Sequence, residues 1–516
     1  MKRNPDLAVL AILLVLACIY RLYGLEIRPY DHDEAIHAWF SYIITKGLPY
    51  KFDPVYHGPL LYYSNAAIFK LFGATDFTAR FLPALFSIGL IPLCYSMRRQ
   101  LGSWGWAVSA LFIIFSPTLE YYGRFLGHDD FVAFFTLATI ALTLSFIRRP
   151  RPLPVYLLFV VLGLFICTKA CFYIHVGLFI SFIVLVVVFD SFKPEYPREE
   201  VVRFLKEWLL RFRIHILAAS SIFIIIYVLL YSSFLSNLHG VISGISSMLG
   251  YWYGQQMHPR LPGPFYYYVP RLIFHEPVIF LALPALIYYS AKKGGALDVF
   301  LAFYNLASFT VYSFAQEKVP WLLMHPLLPM TLLAGRFFQK LMDTRRLNEG
   351  LLIGVLVLLM AWSARESAYL CFVSPPSSPH LLKYMATAEG PKQTARLLEN
   401  MDESEGQIFI TGDATWVLTW YLRDKNVTYT LPKGWEKTAA AVVADKAVKA
   451  SGTEFECKKR ILRTWWLPDY KGLFLKDAWN YLLFHKTRQG IGKTWYCTCL
   501  KSKQREPTSL GLSTLY

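Results

Sequence analysis

The sequence predicts a polytopic α-helical membrane protein that ends in a small α/β domain. Three observations carry this. Hydrophobic residues make up 55% of the 516 and charged residues only 17%, where soluble domains carry about 25% charge. Apolar segments of spanning length recur from residue 7 to residue 369. Lys and Arg gather in alternate connections between those segments, as they do on the cytoplasmic side of membrane proteins. This balance excludes disorder, collagen, a small disulfide scaffold and a cytosolic enzyme built on one buried core. Aromatic residues, at 17%, suit two membrane interfaces, where Trp and Tyr collect.

A spanning helix needs about 20 mostly apolar residues. Eleven segments qualify, at 7–25, 80–97, 104–118, 131–147, 154–171, 172–190, 214–235, 271–290, 296–316, 320–340 and 350–369. Some are short or interrupted by Pro, which leaves ten or twelve open. The first runs into an Arg/Tyr-rich stretch with no small-residue cleavage site, so it reads as a retained helix. With the N-terminus in the cytoplasm, the cytoplasmic connections receive Lys2, Arg3, Arg98, Arg99, Arg148, Arg149, Arg151, the run from Lys193 to Arg213, Lys292, Lys293, Lys340, Arg345 and Arg346. The external ones hold Arg28, Lys46, Lys51, Lys70, Arg124, Arg260 and Lys318. The net charge of +17 is then largely membrane topology, and a nucleic-acid partner is unnecessary.

The expected organisation is a transmembrane domain at 1–369, with external loops at 26–79 and 119–130, followed by an extracytoplasmic α/β domain at 370–516. Ser374-Pro375-Pro376-Ser377-Ser378-Pro379 is a turn-rich linker. Residues 389–401 read as a helix, Gln407 to Thr411 as a strand, and Ala414 to Arg423 as a second helix. Cys371, Cys457, Cys497 and Cys499 fall in the external region, where oxidation is permitted, and four cysteines allow three pairings. Cys18, Cys94, Cys167 and Cys171 read as packing residues in or beside spans. Asn426-Val427-Thr428 is a glycosylation sequon in the external segment.

The chemistry is expected on the external side. The first loop reads Tyr30-Asp31-His32-Asp33-Glu34-Ala35-Ile36-His37 and then Asp53-Pro54-Val55-Tyr56-His57-Gly58-Pro59-Leu60. Three carboxylates and two imidazoles within a few residues at the end of a span are costly unless they have a function. A helix cap explains part of the cluster: Asp31 with Glu34 fits a capping box, and Asp33 alone fits an N-cap. Residues 34–46 form an amphipathic helix with Ile36, Trp39, Phe40, Ile43 and Ile44 on one face, which suits the membrane surface. The second loop holds Arg124, His128, Asp129 and Asp130, where Asp129 and Asp130 also suit a helix start. A third stretch runs from Gln316-Glu317-Lys318 to His325. Carboxylates in one cluster and cations in the others suit a substrate with a phosphate and a hydroxyl to deprotonate.

These motifs together resemble the GT-C superfamily of membrane glycosyltransferases. Asp33-Glu34, then Gly58-Pro59-Leu60-Leu61-Tyr62-Tyr63 leading into Phe69-Lys70-Leu71-Phe72-Gly73, is similar to the protein O-mannosyltransferase and aminoarabinose-transferase group. Arg124-Phe125-Leu126-Gly127-His128-Asp129 is similar to the pattern of Arg, four residues and Asp in the second external loop of that group. Leu164 to Lys169 resembles its fifth-helix Thr-Lys ending. The stretch from Asp53 to Pro59, Glu317-Lys318-Val319-Pro320-Trp321 with His325, and Trp420-Tyr421-Leu422-Arg423-Asp424 are similar to one archaeal and sporadic bacterial subfamily, labelled flippase-activity-associated. The likeness covers residues 1–340 and reaches the tail mainly through the last motif. In one departure, Tyr56 and His57 stand where aminoarabinose transferases carry an acidic residue and a Lys.

The resemblance implies transfer of a sugar from a polyprenyl-phosphate donor to a hydroxyl of a glycan, lipid or protein acceptor, on the external face of the cell membrane. It implies Asp33 as the catalytic base. From the residues themselves, Glu34 is the reserve, and Arg124, Lys318, His325, His37 and Tyr62 are expected as substrate contacts. A divalent metal ion, if the reaction uses one, would find ligands in His57, His128 and Asp129. The alternative is a flippase-associated or scaffold protein of a surface-glycan pathway. A transporter would carry ionisable residues deep within spans and show internal repeats, whereas here the charge sits at span ends and no repeat is visible. The topology is testable directly. A single cysteine near Ser377 should react with an impermeant maleimide on intact cells, and one near Glu199 only after lysis. The reverse pattern overturns the side assigned to every cluster.

Overall fold

The computed structural model describes residues 5–188, 198–291, 294–449, 455–468 and 475–502. Lys2, Arg3, residues 193–197 of the basic run, Lys292 and Lys293, all used for the orientation, lie outside the described residues. The chain divides into two compact units. One comprises Met1–Leu25 and Ser41–Val373; the other comprises Glu26–Phe40 and Ser374–Tyr516.

In chain order the helices of seven or more residues up to Val373 are α1 (Pro5–Leu22), α2 (His32–Thr45), α3 (Leu60–Phe72), α4 (Asp76–Ser96), α5 (Ser103–Phe115), α6 (Pro117–Gly123), α7 (Asp129–Arg148), α8 (Pro152–Ile166), α9 (Cys171–Val188), α10 (Arg198–Tyr231), α11 (His239–Met257), α12 (Tyr268–His275), α13 (Ile279–Ala291), α14 (Ala296–Phe314), α15 (Met324–Thr344) and α16 (Glu349–Ala368). Each expected spanning segment coincides with one of these helices or, for 271–290, with the α12–α13 pair. Among the described residues, α1, α4, α7, α9, α10, α14 and α16 are long and apolar enough to cross a membrane. The pair α12 and α13, bent by 116°, makes an eighth if it counts as one span, and α5 and α8 are shorter apolar helices. The count supported by length and composition is therefore seven or eight. α15 has spanning length, but its residues from Met324 to Gly335 are buried within the unit. Protein, not lipid, surrounds them, so they do not need a uniformly apolar surface.

The helices pack closely where small residues meet. At the contact of α5 with α15, a Cβ on Gly335 would collide with the Gly105 carbonyl. The backbones approach there, and Ser109 Oγ donates to the Thr331 carbonyl at 3.0 Å. Small residues at such crossings replace the hydrophobic drive that lipid removes. Arg336 clamps α15 to α14 with bonds of 2.7 and 3.0 Å to the two oxygens of Asp298.

A buried set of charges closes the C-terminal end of α1. Arg21 is 1% exposed and forms an ion pair with Glu120 of α6, which is fully buried. Its remaining donors reach Ser87 Oγ at 2.8 Å, the Ile114 carbonyl at 3.0 Å and the Ile113 carbonyl at 2.8 Å. Arg124, just after α6, donates to the carbonyls of Tyr20 at 2.6 Å, Gly24 at 3.1 Å and Arg21 at 3.3 Å, and lies over the Phe372 ring at 4.6 Å. The last carbonyls of a helix have no partner within it, and Arg124 supplies one.

The second unit is a mixed six-stranded sheet with helices. Its strands are β1 (Met385–Thr387), β2 (Gln407–Ile410), β3 (Val427–Thr428), β4 (Ala439–Ala444), β5 (Phe455–Trp465) and β6 (Gly492–Lys501), in the order β1-β5-β6-β4-β2-β3. β2 pairs in parallel with β3 and β4, and the other pairings are antiparallel. Its helices of seven or more residues are α17 (Gly390–Glu399), α18 (Thr415–Tyr421) and α19 (Leu475–Phe484). One core layer sets Ile408, Ile410, Ala441 and Val443 against Leu398 of α17 and Leu418 of α18; the opposite face carries Phe409, Val442, Cys497 and Cys499. Cys457 and Cys499, directly opposite on β5 and β6, form a disulfide. Of the other cysteines expected outside, Cys497 is buried in this sheet and Cys371 belongs to the first unit.

Removing one partner of a buried ion pair leaves an uncompensated charge, at about 3–5 kcal/mol. Glu120→Gln and Arg21→Met should each lower the melting temperature of the detergent-purified protein strongly, and the double variant Arg21→Met/Glu120→Leu should recover part of that loss. Losses that simply add would show that the two side chains are not coupled.

Candidate active site

The acidic segment is built into the second unit. Tyr30 is fully buried; its ring lies 5.3 Å from that of Trp420, and its amide donates to the Tyr421 hydroxyl at 3.0 Å. The next residue begins a capping arrangement. Glu34 Oε2 accepts from the Asp31 amide at 3.2 Å, and the Asp31 carbonyl accepts from the Ala35 amide at 3.0 Å. That is the reciprocal half of a capping box, with Asp31 at the cap and Glu34 three residues on. Glu34 is buried and also lies 3.7 Å from Arg28. The expected reserve base therefore holds the turn together and has no exposed oxygen for a substrate. Asp33, by contrast, is exposed on the first turn of α2. His37, one turn on, is buried.

Two further residues complete this segment. Asp31 Oδ1 accepts from the His32 amide at 2.5 Å. Burial first, and then the neighbouring Asp33 and Glu34, push the Asp31 carboxyl up to about 7, against the pull of Arg463 and the His32 amide. Arg463 of β5 places Nη2 2.9 Å from His32 Nδ1 and 3.0 Å from the Asp413 carbonyl. Sequence reasoning passed over Asp31, His32 and Arg463 as site residues. Asp31 and His32 stood within the cluster already noted, but Arg463 carried no signal.

The remaining expected residues lie in the first unit, in separate groups. Gly58 and Leu60 donate their amides to the carbonyls of Thr168 at 2.7 Å and Cys167 at 3.0 Å. A Cβ on Gly58 would fall on the Cys167 carbonyl, so only glycine allows this approach. His128 donates from Nε2 to the Gly58 carbonyl at 3.3 Å, its ring 5.1 Å from that of His57. His57 has φ of +67°, a left-handed conformation that costs a non-glycine residue about 1–3 kcal/mol. Tyr62 is fully buried and donates to the Tyr56 carbonyl at 2.5 Å. Asp129 binds Lys169 through both oxygens, at 2.9 and 3.0 Å, and His325 Nε2 at 3.0 Å. Lys318 is buried with its ammonium on the Ser313 carbonyl at 2.6 Å and the Ala315 carbonyl; burial pushes it down to about 8. Arg260 pairs with Glu317 at 2.6 Å on the adjoining loop.

The expected metal ligands do not converge. His128 Nε2, bonded to a carbonyl, is a proton donor there and not a ligand, and Asp129 faces His325 and Lys169. Asp129, Cys171 and His325 do bring ligand atoms within 4.8 Å of one another. The Lys169 ammonium already occupies both oxygens of that carboxylate, so the set does not fit a divalent cation. Arg124, expected on a phosphate, spends its donors on three carbonyls at the end of α1.

Residues 56–197 match the family model described as dolichyl-phosphate-mannose-protein mannosyltransferase. Among solved structures, ArnT from Cupriavidus metallidurans bound to undecaprenyl phosphate is similar at a TM-score of 0.58 and 14% identity, covering 82% of this chain and 86% of its own. Its apo form gives 0.60 and 15%, covering 84% and 87%. The Archaeoglobus fulgidus oligosaccharyltransferase tethered with an acceptor peptide containing the NVT sequon gives 0.55 and 11%, covering 86% and 69%. No curated protein matches the chain in sequence. The chain is thus a multi-pass membrane protein with the fold of the GT-C glycosyltransferases, ending in a small sheet domain.

The folded Asp31 carboxyl keeps its proton up to about 7, while an unfolded Asp releases it near ~3.9. Folding therefore takes up a proton between those values. The associated stability is complete below the lower value and is lost as pH rises through the upper. Asp31→Asn, which removes the charge and keeps an acceptor, should raise the melting temperature at about pH 8 by roughly a few degrees and change it little near pH 4. An equal effect at both pH values would show that Asp31 is an ordinary surface carboxylate.

Proposed function

We propose that the protein transfers a glycosyl group from a polyprenyl-phosphate donor to a hydroxyl of a glycan, lipid or protein acceptor at the external membrane surface. The observation that carries this reading is the exposed Asp33, the one carboxylate of the segment Asp31–Glu34 left open to a substrate while its neighbours hold the segment in place. The GT-C fold supports the class of reaction. The undecaprenyl phosphate bound to the similar ArnT supports the class of donor. The disulfide between Cys457 and Cys499 supports an extracytoplasmic second unit, since such bonds persist in oxidising compartments.

The step is a single displacement. Asp33 accepts the proton of the acceptor hydroxyl, whose oxygen attacks the anomeric carbon. The bond from that carbon to the phosphate oxygen breaks, and polyprenyl phosphate leaves as the anion. Within the first unit, taken by itself, Lys318 and Arg260 are the cations proposed to bind an anion. Arg260 has its side chain 55% exposed, and an arriving anion would favour the charged form of Lys318. Arg124 is assigned to the end of α1 instead. No step is routed through a metal ion.

General-base assistance contributes about 10²–10⁴-fold. Membranes supplied with a radiolabelled polyprenyl-phosphate hexose should transfer label to acceptor, and Asp33→Asn should lose activity within that range while keeping the wild-type melting temperature. Glu34→Gln should lower stability first. Wild-type rates in Asp33→Asn would place the base elsewhere. Direct use of a nucleotide sugar, with no lipid intermediate, would overturn the reaction class.

A further inference from the structure

We infer that His32 is a fixed, uncharged hydrogen-bond donor of the site, its tautomer set by Arg463, a positioning residue contributed by the C-terminal sheet. The inference rests on reading Asp31–Glu34 as the reactive segment.

A guanidinium only donates. With Arg463 Nη2 2.9 Å from His32 Nδ1, that ring nitrogen must present its lone pair. The imidazole is then neutral, and its proton lies on Nε2. The partner is itself held. The same Nη2 reaches the Asp413 carbonyl at 3.0 Å, and the Asp413 amide donates to Asp445 Oδ1 at 2.9 Å. The preceding Gly412 has φ of +80°, which suits a residue without a Cβ. On the other side of His32, Tyr30 is fixed by Trp420 and Tyr421. The Trp420-Tyr421-Leu422-Arg423-Asp424 motif thereby anchors the residues that precede the reactive turn, with Arg423 lying over the Trp420 ring at 4.3 Å.

The charged groups around His32 act in opposite senses. Burial first, and then Arg463, from β5, disfavour a second proton on the ring; Asp33, on its own helix, and Asp413, from the turn after β2, favour one. Asp31 and Glu34 are the other carboxylates of the segment. An imidazolium beside Asp33 would pair with that carboxylate and compete with the acceptor hydroxyl for it. A neutral ring avoids this and still offers Nε2–H to an oxygen of the sugar or of the acceptor hydroxyl. In this arrangement His32 binds substrate, and Arg463 acts only through it.

The test uses the full chain in detergent and follows hydrogen–deuterium exchange at His32 C2 against pH by mass spectrometry. In wild type the titration midpoint should lie below the ordinary ~6.5. Arg463→Leu should raise it by about one pH unit, since it removes both the cation and the donor. Arg463→Gln keeps an N–H donor without the charge and should fall between. A midpoint at the ordinary value in wild type, or one unmoved in Arg463→Leu, overturns the inference. In the transfer assay, His32→Gln retains a donor and should exceed His32→Leu by about tenfold, the worth of one good hydrogen bond; equal losses would overturn the donor role. If wild-type membranes transfer no label, the reaction class fails, while the His32 titration still decides the tautomer.

Discussion

The C-terminal end of the first membrane helix is held by charges that cannot reach water. Arg21 and Glu120 are both buried, and so is Arg124. In bulk water such a pair would be worth little, but inside the unit each member is expensive without the others. Two arginines, one glutamate, one serine and five backbone carbonyls form one connected set. The consequence is positional. The helix stops with its terminal carbonyls bonded, so the point from which the chain continues towards Glu26 is fixed.

A second constraint works through backbone. Gly58 and Leu60 hydrogen-bond the carbonyls of Cys167 and Thr168, and the next residue, Lys169, binds Asp129, which binds His325. Four stretches far apart in sequence are thereby joined by a few bonds. His128, which touches Gly58, is the immediate neighbour of Asp129. Short motifs that are weak singly acquire a shared reason: each supplies one surface of the same contact.

How much of this was legible follows from the range over which each signal acts. Spanning helices announce themselves because lipid demands a continuous apolar run; α5 and α8 fell short only in length. The helix at α17 and the strand at β2 were visible through local periodicity. β4 was not. Its sequence Ala439-Ala440-Ala441-Val442-Val443-Ala444 is buried at every position, so it has no alternation, and alanine has no preference for strands. The acidic cluster was legible as a cluster, but which carboxylate stays open was not. That depends on whether Glu34 turns back to the Asp31 amide. The partners of Arg124 were hidden for a related reason. An isolated external arginine suggests an anion, and nothing local reveals that the carbonyls ending α1 lie within its reach. Arg463 was invisible because its partner lies 431 residues away.

That separation has a consequence in time. Residues 26–40 enter the sheet unit from the start of the chain, while β5 and β6 come near its end. At roughly 5–20 residues per second of synthesis, His32 waits about 20–90 s for Arg463 to be made. Until then the segment lacks its guanidinium, and Tyr30 lacks Trp420 and Tyr421. A nascent chain has long since threaded its first helices into the bilayer, yet it carries an unassembled acidic turn. The acidic turn is therefore assembled only after β5 has been made. A chain released before β5 is made would hold its apolar helices without the guanidinium that meets His32.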